Sequence, residues 1–273
     1  MKVSELAGSR ELMVNLTLRE LRGKYKRSVL GWTWSLLNPL ATMLIFTIVF
    51  KFFLKVEQDP GDPSGLDVFA FFLIVGLLPW NFLANGVNGS MDVLVGNANL
   101  IKKVYFPREV LVGANLASWL VSLLIEMAVL AIALIIAGNF VVPWLVPTLA
   151  VVAIQTVFVL GLGLGLSVLN VYFRDVQHLV GIVLQLWFYS TPIVYPPGLV
   201  PGNAHVFGWR VPLGTIYDLN PMVHFVKAYR NCLYDLRLPS LGTWAYMVGA
   251  AAVALGAGLW AFGRLEPKLA EEL

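Results

Sequence analysis

Charged side chains are scarce in this sequence. Only 13% of its 273 residues are charged, whereas 58% are hydrophobic, and soluble proteins average about 25% charged residues. A single soluble core does not grow large enough to hide so much apolar surface, because longer chains divide into separate domains. The surplus apolar surface must face lipid, so the composition predicts an integral membrane protein.

Cysteine and catalytic motifs are also lacking. Cys232 is the single cysteine, which excludes an intrachain disulfide, and no cysteine or histidine cluster has metal-ligand spacing. Gly23–Lys24 is followed by Tyr25 and lacks the upstream glycine of an ATP-binding phosphate loop. Paired carboxylates and a catalytic triad are absent too. We therefore expect a chain that binds no metal or cofactor and is not an enzyme on its own.

Two further absences concern targeting and nucleic acid. The first thirty residues are polar and basic with no short apolar core, so we expect no cleavable signal peptide. The net charge of +3 comes from cations that lie beside apolar runs rather than on a basic face of their own. This arrangement is typical of membrane orientation and argues against nucleic-acid binding.

Six apolar runs approach the ~20 residues that span a bilayer as a helix. They lie at Trp34–Leu54, Val68–Val87, Leu111–Ala137, Val146–Val168, Leu179–Tyr195 and Thr243–Phe262. The third and fourth are joined by a tight turn, Gly138 to Pro143, as in an antiparallel hairpin. We predict an all-α membrane protein with a transmembrane domain at 34–262, an N-terminal segment at 1–33 and a C-terminal tail at 263–273.

The distribution of lysine and arginine predicts the orientation. With six spans both termini share one side, and most of the basic residues fall in the termini and in the second and fourth loops. Because basic residues accumulate on the cytoplasmic side of membrane proteins, both termini should be cytoplasmic.

The segment before the first span has an amphipathic pattern. Val14, Leu18, Leu21 and Tyr25 recur every three or four residues, and polar residues keep a similar spacing on another face. This pattern predicts a helix between Glu11 and Lys26 that lies in the membrane interface. A solvated juxtamembrane helix with incidental periodicity is the alternative.

The long fifth loop is rich in proline and glycine yet apolar. Such backbone survives at membrane depth only where protein or a water-filled cavity surrounds it. We predict short broken or re-entrant helices within residues 196–235, including an outer helix around Met222–Tyr234. An ordinary exposed loop is the alternative.

Two features inside the spans have competing explanations. Gly161, Gly163 and Gly165 lack the strand–turn–helix context of a nucleotide-binding turn, so close helix packing is favoured. Glu126 sits near the middle of the third span, where an ionisable group is expensive. It is either a proton relay or a neutral, hydrogen-bonded helix contact. The second is favoured because no second intramembrane carboxylate or lysine is evident.

Aromatic residues form stripes on the first and fifth spans. The stripe on the first span begins at Trp32 and Leu36, and the shorter one on the fifth begins at Trp187. Lipid contact or helix packing would explain either stripe. Sugars also stack on aromatic rings, so a continuous aromatic lane would let a glycan slide. The candidate lining residues are Met43, Phe46, Phe50, Phe53, Trp187, Thr191 and Tyr195.

Four segments together resemble the permease subunits of ABC-2-type polysaccharide exporters. They are LRELRGKYKRSVLGWTWSLLNPL (18–40), NLIKKVYFPREVL (99–111), NVYFRDVQH (170–178) and LNPMVHFVKAYR (219–230). Members of that family export lipid-linked O-antigen, teichoic acid or related cell-envelope glycans from bacteria. The resemblance extends over nearly the whole chain and does not indicate which polymer is carried.

The resemblance implies a homodimer in the bacterial plasma membrane with two cytosolic ATPase subunits, which would bind the ATP and Mg²⁺. It implies a coupling helix at about 99–110, seated in a cleft of the ATPase. The coupling residues would be Lys102, Lys103, Tyr105, Phe106, Pro107, Arg108 and Glu109.

An interface helix at the N-terminus is implied as well. Its cations would orient the chain, hold phospholipid head groups and guide an anionic lipid-linked glycan towards the pore, although lipid binding alone would account for them. The residues concerned are Arg19, Arg22, Lys24, Tyr25, Lys26, Arg27 and Trp32.

Two other functions compete with polysaccharide export. An ABC-2 exporter of a small hydrophobic compound or lipid fits the composition equally well, and the aromatic stripe with the order of the four segments favours glycan. A carrier driven by an ion gradient would need intramembrane charge pairs and two similar halves. Apart from Glu126, the sequence offers neither.

Overall fold

The computed structural model describes residues 10–24, 31, 33–53, 55, 58–104, 106–200, 202, 204–206 and 209–273. Most of them are helical. The helices in chain order are α1 (Arg10–Lys24), α2 (Thr33–Phe46, continued by a π-helical segment, Thr47–Phe53), α3 (Phe69–Gly96), α4 (Ala98–Lys103), α5 (Glu109–Ile136), α6 (Leu145–Tyr172), α7 (Val176–Tyr189), α8 (Leu213–Asp218), α9 (Pro221–Arg230, continued by a π-helical segment, Asn231–Asp235), α10 (Leu241–Leu265) and α11 (Leu269–Glu272).

One short hairpin interrupts the helices on the way from α7 to α8. Its strands β1 (Ala204–Val206) and β2 (Trp209–Val211) pair antiparallel, with Ala204 opposite Val211. Three-residue strands leave no readable alternation in a sequence, so this hairpin was not predicted. The broader expectation of a helical membrane protein is confirmed.

Four helices in the described part of the chain are long and apolar enough to cross a bilayer, and they match the second, third, fourth and sixth predicted spans to within one residue at the predicted ends or extend beyond them. They are α3, α5, α6 and α10. The first three of these have 28 residues each, or about 42 Å at 1.5 Å per residue. A hydrocarbon core is about 30 Å thick, so these helices extend beyond it.

The first and fifth predicted spans are shorter as helices. The apolar part of α2 with its π-helical segment runs from Leu37 to Phe53, and α7 has 14 residues. The prediction that the fifth helix continues to Tyr195 is wrong, because α7 ends at Tyr189. Pro192 supplies the reason, since it lacks a backbone N–H and disfavours helical geometry in the residue before it.

The core forms around α3, and buried amides fix α6 to it. Gln155 Nε2 donates to the Pro79 carbonyl oxygen at 2.8 Å, and Gln155 Oε1 accepts from Tyr229 Oη at 2.8 Å. Near the C-terminus of α6, Asn170 Nδ2 donates to the Met91 carbonyl oxygen at 3.0 Å. Each such interhelical hydrogen bond contributes about 0.6 kcal/mol on average in a membrane protein.

Close packing by glycine is confirmed where α6 meets α10. A Cβ atom placed on Gly161 would collide with the backbone of Ala254 and Leu255, and one placed on Gly258 would collide with the backbone of Gly161. A Cβ on Gly163 would lie 2.6 Å from Ser90 Oγ on α3. These glycines allow backbones to approach closely, as small residues do in membrane helix pairs.

The tight turn between the third and fourth spans is confirmed as a hairpin connection. Gly138 adopts a positive φ of 89°, a conformation that favours glycine. The next residue, Asn139, donates from Nδ2 to the Leu233 carbonyl oxygen at 2.9 Å. This bond attaches the turn to the segment that continues α9.

Candidate functional site

An aromatic cluster joins α2 to α7 across α3. Phe46 of α2 lies with its ring centroid 5.9 Å from that of Phe50 and 6.2 Å from that of Phe188 on α7. Phe188 in turn lies 5.5 Å from Trp80 of α3. The structure therefore brings together the two helices that carry the predicted stripes. Trp80 was missed because α3 carries no predicted stripe, and Phe188 because it directly follows Trp187 and breaks the spacing of four on which the stripe was traced.

The predicted lining residues differ in their accessibility. Met43, Phe46 and Phe50 are half-buried and pack against the core, whereas Phe53 is 76% exposed. Tyr195 is half-buried and donates from Oη to the Tyr189 carbonyl oxygen at 2.8 Å.

Thr191 departs from the prediction that it lines a channel. It is 0% exposed, and its hydroxyl donates to the Trp187 carbonyl oxygen at 2.8 Å. Thr191 lies just after α7, where the chain turns before Pro192, and this turn directs the Thr191 side chain into the protein. It is a structural residue in this conformation.

Asn220 holds the C-terminal end of α7. Its Oδ1 accepts from Trp187 Nε1 at 2.6 Å and from the Met222 backbone N–H at 3.0 Å. Its Nδ2 donates to Thr191 Oγ1 at 3.0 Å and to the Ser190 carbonyl oxygen at 3.3 Å. Both amide atoms thus make two hydrogen bonds. The sequence Asn220–Pro221 is typical of a helix N-cap, but the link to α7 cannot be read from it.

Arg230 makes a second attachment at the same end. Its guanidinium is buried and donates to the carbonyl oxygens of Pro192 at 2.6 Å, Ile193 at 2.8 Å and Phe72 at 3.3 Å. It also lies 3.5 Å from the Phe72 ring centroid, a cation–π contact. Burial lowers the pKa of Arg230 to about 9, so it stays charged at neutral pH. α9 therefore fastens the end of α7 to α3.

The rest of α7 buries little of its surface. Leu184 is its one buried side chain, while Leu179, Ile182 and Leu186 are exposed.

The predicted coupling helix is shorter than expected. α4 covers Ala98–Lys103, after which Pro107 interrupts the helix before α5 begins at Glu109. Lys102, Lys103 and Val104 are exposed. Tyr105 lies outside the described residues.

Phe106 contradicts the expectation that it faces a partner. It is buried in a cluster with Ile101 and Leu269, so it anchors the connection to its own protein. Pro107 and Glu109 are half-buried. The exposed surface offered by this connection consists of Lys102, Lys103 and Val104.

The C-terminal segment braces the same connection. Arg108 Nη1 donates to the Glu266 carbonyl oxygen at 2.6 Å, and Tyr172 Oη donates to the Leu265 carbonyl oxygen at 2.8 Å. Arg108 is therefore engaged within the chain. The connection between α4 and α5 is thus bonded to the chain that follows α10, and the end of α6 is bonded to the end of α10.

The predicted N-terminal helix is present as α1. Leu16 and Leu21 are its buried residues, whereas Val14 and Leu18 of the predicted apolar face are exposed. Arg19 Nη2 donates to Asn97 Oδ1 at 2.7 Å and pairs with Glu20 at 3.0 Å, and Arg22 is exposed. Tyr25, Lys26, Arg27 and Trp32 lie outside the described residues.

Lys24 points into the protein rather than towards solvent. Its Nζ lies 3.3 Å from the ring centroid of Trp119 and 3.4 Å from Ser122 Oγ, both on α5. It lines a cavity of about 260 Å³ together with Glu126. Burial lowers the pKa of Lys24 to about 7, and the nearby Glu126 carboxylate acts in the opposite direction.

This neighbour corrects the interpretation of Glu126. The spans themselves offered no second carboxylate or lysine, and the structure adds a lysine from outside them, because α1 runs along α5 and carries Lys24 to the same cavity. We refer to this space as the lysine–glutamate cavity. The two residues are far apart in sequence, so neither periodicity nor a motif could have paired them.

Comparison with known proteins identifies the family. The ABC-2 type transporter family matches over residues 11–234. An O-antigen export system permease protein, RfbA, of Myxococcus xanthus is 33% identical and covers 99% of this chain and 98% of its own length. RfbA of Klebsiella pneumoniae is 30% identical over 96% of this chain and 95% of its own.

A more distant similarity points the same way. The polysialic acid transport protein KpsM of Escherichia coli is 23% identical and covers 80% of this chain and 79% of its own length. Together with several apolar helices long enough to span a bilayer, these matches show that the chain is a multi-pass membrane protein of the ABC-2 type transporter family.

Proposed function

We propose that the chain is the permease subunit of an ATP-driven exporter that moves a lipid-linked polysaccharide from the cytoplasmic to the outer side of a bacterial plasma membrane. The observation that carries the proposal is the similarity to O-antigen export permeases over nearly the full length of both chains. Six helical passes with both termini in the cytoplasm complete the topology. Two copies of the chain and two ATPase subunits form the transporter.

The length of α7 supports an internal channel. Its 14 residues extend about 21 Å, too little for a 30 Å hydrocarbon core. The chain after Tyr189 turns irregularly, and such backbone at membrane depth requires protein or a water-filled cavity around it. The exposed face of α7 therefore lines the path between two copies, together with α2.

ATP hydrolysis in the partner subunits is coupled to this path through the connection that contains α4. The partner ATPase contacts Lys102, Lys103 and Val104, which are exposed, and moves α4. The contacts of Phe106 and Arg108 carry that motion to the ends of the spans. With its outer end fixed by Asn220 and Arg230, α7 pivots and opens the path. ATP and Mg²⁺ bind to the partner subunits.

Aromatic rings at the junction of α2 and α7 provide the sliding surface for sugars. Replacing Phe46 and Phe50 together by leucine keeps apolar volume and removes the rings. Ring stacking contributes about 0.5–1.5 kcal/mol per pair, so the double variant should export glycan about tenfold more slowly. The measurement is ATP-dependent uptake of a lipid-linked glycan into inverted vesicles.

Phe52→Leu is the matched control, because Phe52 is exposed and lies off the stripe. It should export at the rate of the unaltered protein. Unchanged export by the Phe46/Phe50 double variant, with both subunits still assembled, would remove the aromatic lane from the mechanism.

A further inference from the structure

Three asparagines form a polar face on α3, inside a membrane span. Asn81, Asn85 and Asn88 follow one another at steps of four and three residues, which places them on the same side of the helix. They lie between about 18 Å and about 29 Å along α3. A hydrocarbon core of about 30 Å centred on this helix would contain all three. We refer to them as the amide ladder.

The amide ladder differs from the amides that hold the spans together. Gln155 and Asn170 are buried and donate to backbone carbonyl oxygens of α3. In the ladder, Asn85 is exposed and the other two side chains are half-buried. Among the hydrogen bonds that join described residues, those of α3 include none from a ladder side chain. An amide at membrane depth is costly without a polar partner, so helix packing does not explain these three.

The amide ladder faces the crevice between α2 and α7. On one flank, Asn81 and Asn85 line the lysine–glutamate cavity together with Asn38 of α2. On the other flank, Asn88 lines a cavity of about 250 Å³ together with Gln185 of α7. Asn38 and Gln185 are exposed as well. Amide side chains from three helices therefore line the same crevice.

The amide ladder begins where the aromatic cluster ends. Trp80, which directly precedes Asn81, lies with its ring centroid 5.5 Å from that of Phe188 on α7. Both rings also line the cavity that contains Asn88. From this cluster the ladder continues towards the C-terminal end of α3, which the proposed topology places on the cytoplasmic side. Rings that can stack on sugars thus adjoin groups that can bind their hydroxyls.

Amide side chains suit the hydroxyl groups of a moving glycan. Each asparagine offers both a donor and an acceptor, so it can bond to a hydroxyl in either orientation. Neighbouring rungs are about 5–6 Å apart, a step close to the length of one sugar unit. Hydrogen bonds between neutral groups are weaker than those to charged groups, so a chain can pass from one rung to the next.

We propose that α3 forms a third wall of the export path and that the amide ladder binds the hydroxyl groups of an uncharged, hydroxyl-rich segment of the glycan. This inference rests on the proposed export function. A sugar that leaves water for the crevice gives up hydrogen bonds to water, and the ladder replaces them. The aromatic cluster packs against the ring faces of the same chain. The ladder therefore lowers the barrier to movement between α2 and α7.

Thiol labelling in inverted vesicles that contain the full transporter tests where the ladder lies. Asn85→Cys and Asn88→Cys should react with a charged, water-soluble thiol reagent about tenfold faster than Val253→Cys, because a thiol needs water to ionise. Val253 is exposed on α10, and the natural Cys232 is buried. Lipid-linked polymer isolated from the producing cells, added with the ATPase arrested by vanadate, should suppress labelling at 85 and 88 but not at 253.

Export by leucine and serine variants tests what the ladder does. The double variant Asn85→Leu/Asn88→Leu should export that polymer about tenfold more slowly, the effect of losing two neutral hydrogen bonds. Asn85→Ser/Asn88→Ser keeps a donor and an acceptor at each position and should retain most of the rate. Asn15→Leu removes an exposed amide of α1 that lines neither cavity and should export normally. A purely structural role would instead lower the unfolding temperature in detergent.

Two results would overturn the inference alone. One is normal export by the unaltered protein with cysteines at 85 and 88 that label as slowly as the one at 253, or that the polymer does not protect. The other is export by the leucine double variant at the unaltered rate. The labelling result decides the matter should the leucine variant fail to fold. If the unaltered protein exports no glycan, the proposed function fails and the inference fails with it.

Discussion

Alanine at position 258 is expected to lower the free energy of unfolding by about 3 kcal/mol, the upper range for overpacking a dense interior. An added Cβ would meet the carbonyl group of Gly161, a backbone atom that cannot rotate away. α6 and α10 would have to separate along their contact. Gly161→Ala should have a similar effect, because its Cβ would meet the backbone at Ala254.

Gly256→Ala is the matched control on the same helix. No atom lies within 4 Å of a Cβ at that position, and alanine favours helix over glycine by about 1 kcal/mol. Its stability should equal or exceed that of the unaltered protein. Equal unfolding midpoints for Gly258→Ala and Gly256→Ala in the same detergent would contradict the close packing of α6 on α10.

Replacing Asn220 by alanine is expected to destabilise the protein by about 3 kcal/mol, because the Trp187 indole N–H and the Met222 backbone N–H would each lose an acceptor. Thr191 Oγ1 and the Ser190 carbonyl oxygen would lose a donor. Free of this link, the last turn of α7 should open more often. Amide hydrogen exchange at Leu186–Thr191 should therefore accelerate, and export should fall at least tenfold.

Asn220→Ser distinguishes capping from anchoring. Serine caps helices as well as asparagine does, which is worth about 1 kcal/mol, but it is too short to make all four bonds. It should recover part of the stability while exchange in the last turn of α7 stays fast. Slow exchange there in Asn220→Ala would show that Asn220 does not hold α7.

The long spans were predictable because hydropathy over ~20 residues is a local property. The glycine contacts of α6 were also predictable, since small residues in an apolar helix have few other uses. The end of α7 was not, because Thr191–Tyr195 is apolar and only Pro192 signals the break. Hydropathy measures composition, whereas the end of a helix depends on hydrogen bonds.

The candidate sites were less predictable because they depend on contacts between distant residues. The basic segment around Lys102 suggested a docking surface, yet Phe106 is buried in a cluster that includes Leu269 from the other end of the chain. Lys24 and Glu126 line the same cavity because α1 packs along α5. Asn220 looked like an ordinary cap, and only the structure reveals its bonds to α7.

The central claim is that a separate ATPase drives this chain through its inner connection. Val104 is exposed, and the natural Cys232 is buried with its pKa raised to about 11 by burial, so a cysteine introduced at position 104 would react selectively. A photocrosslinker attached to this cysteine should capture an ATPase subunit with a Walker A motif in native membranes. The same probe at the exposed Phe53, which the proposed topology places on the outer side, should not. Capture of the ATPase from position 53, or of no ATPase from position 104, would contradict the account.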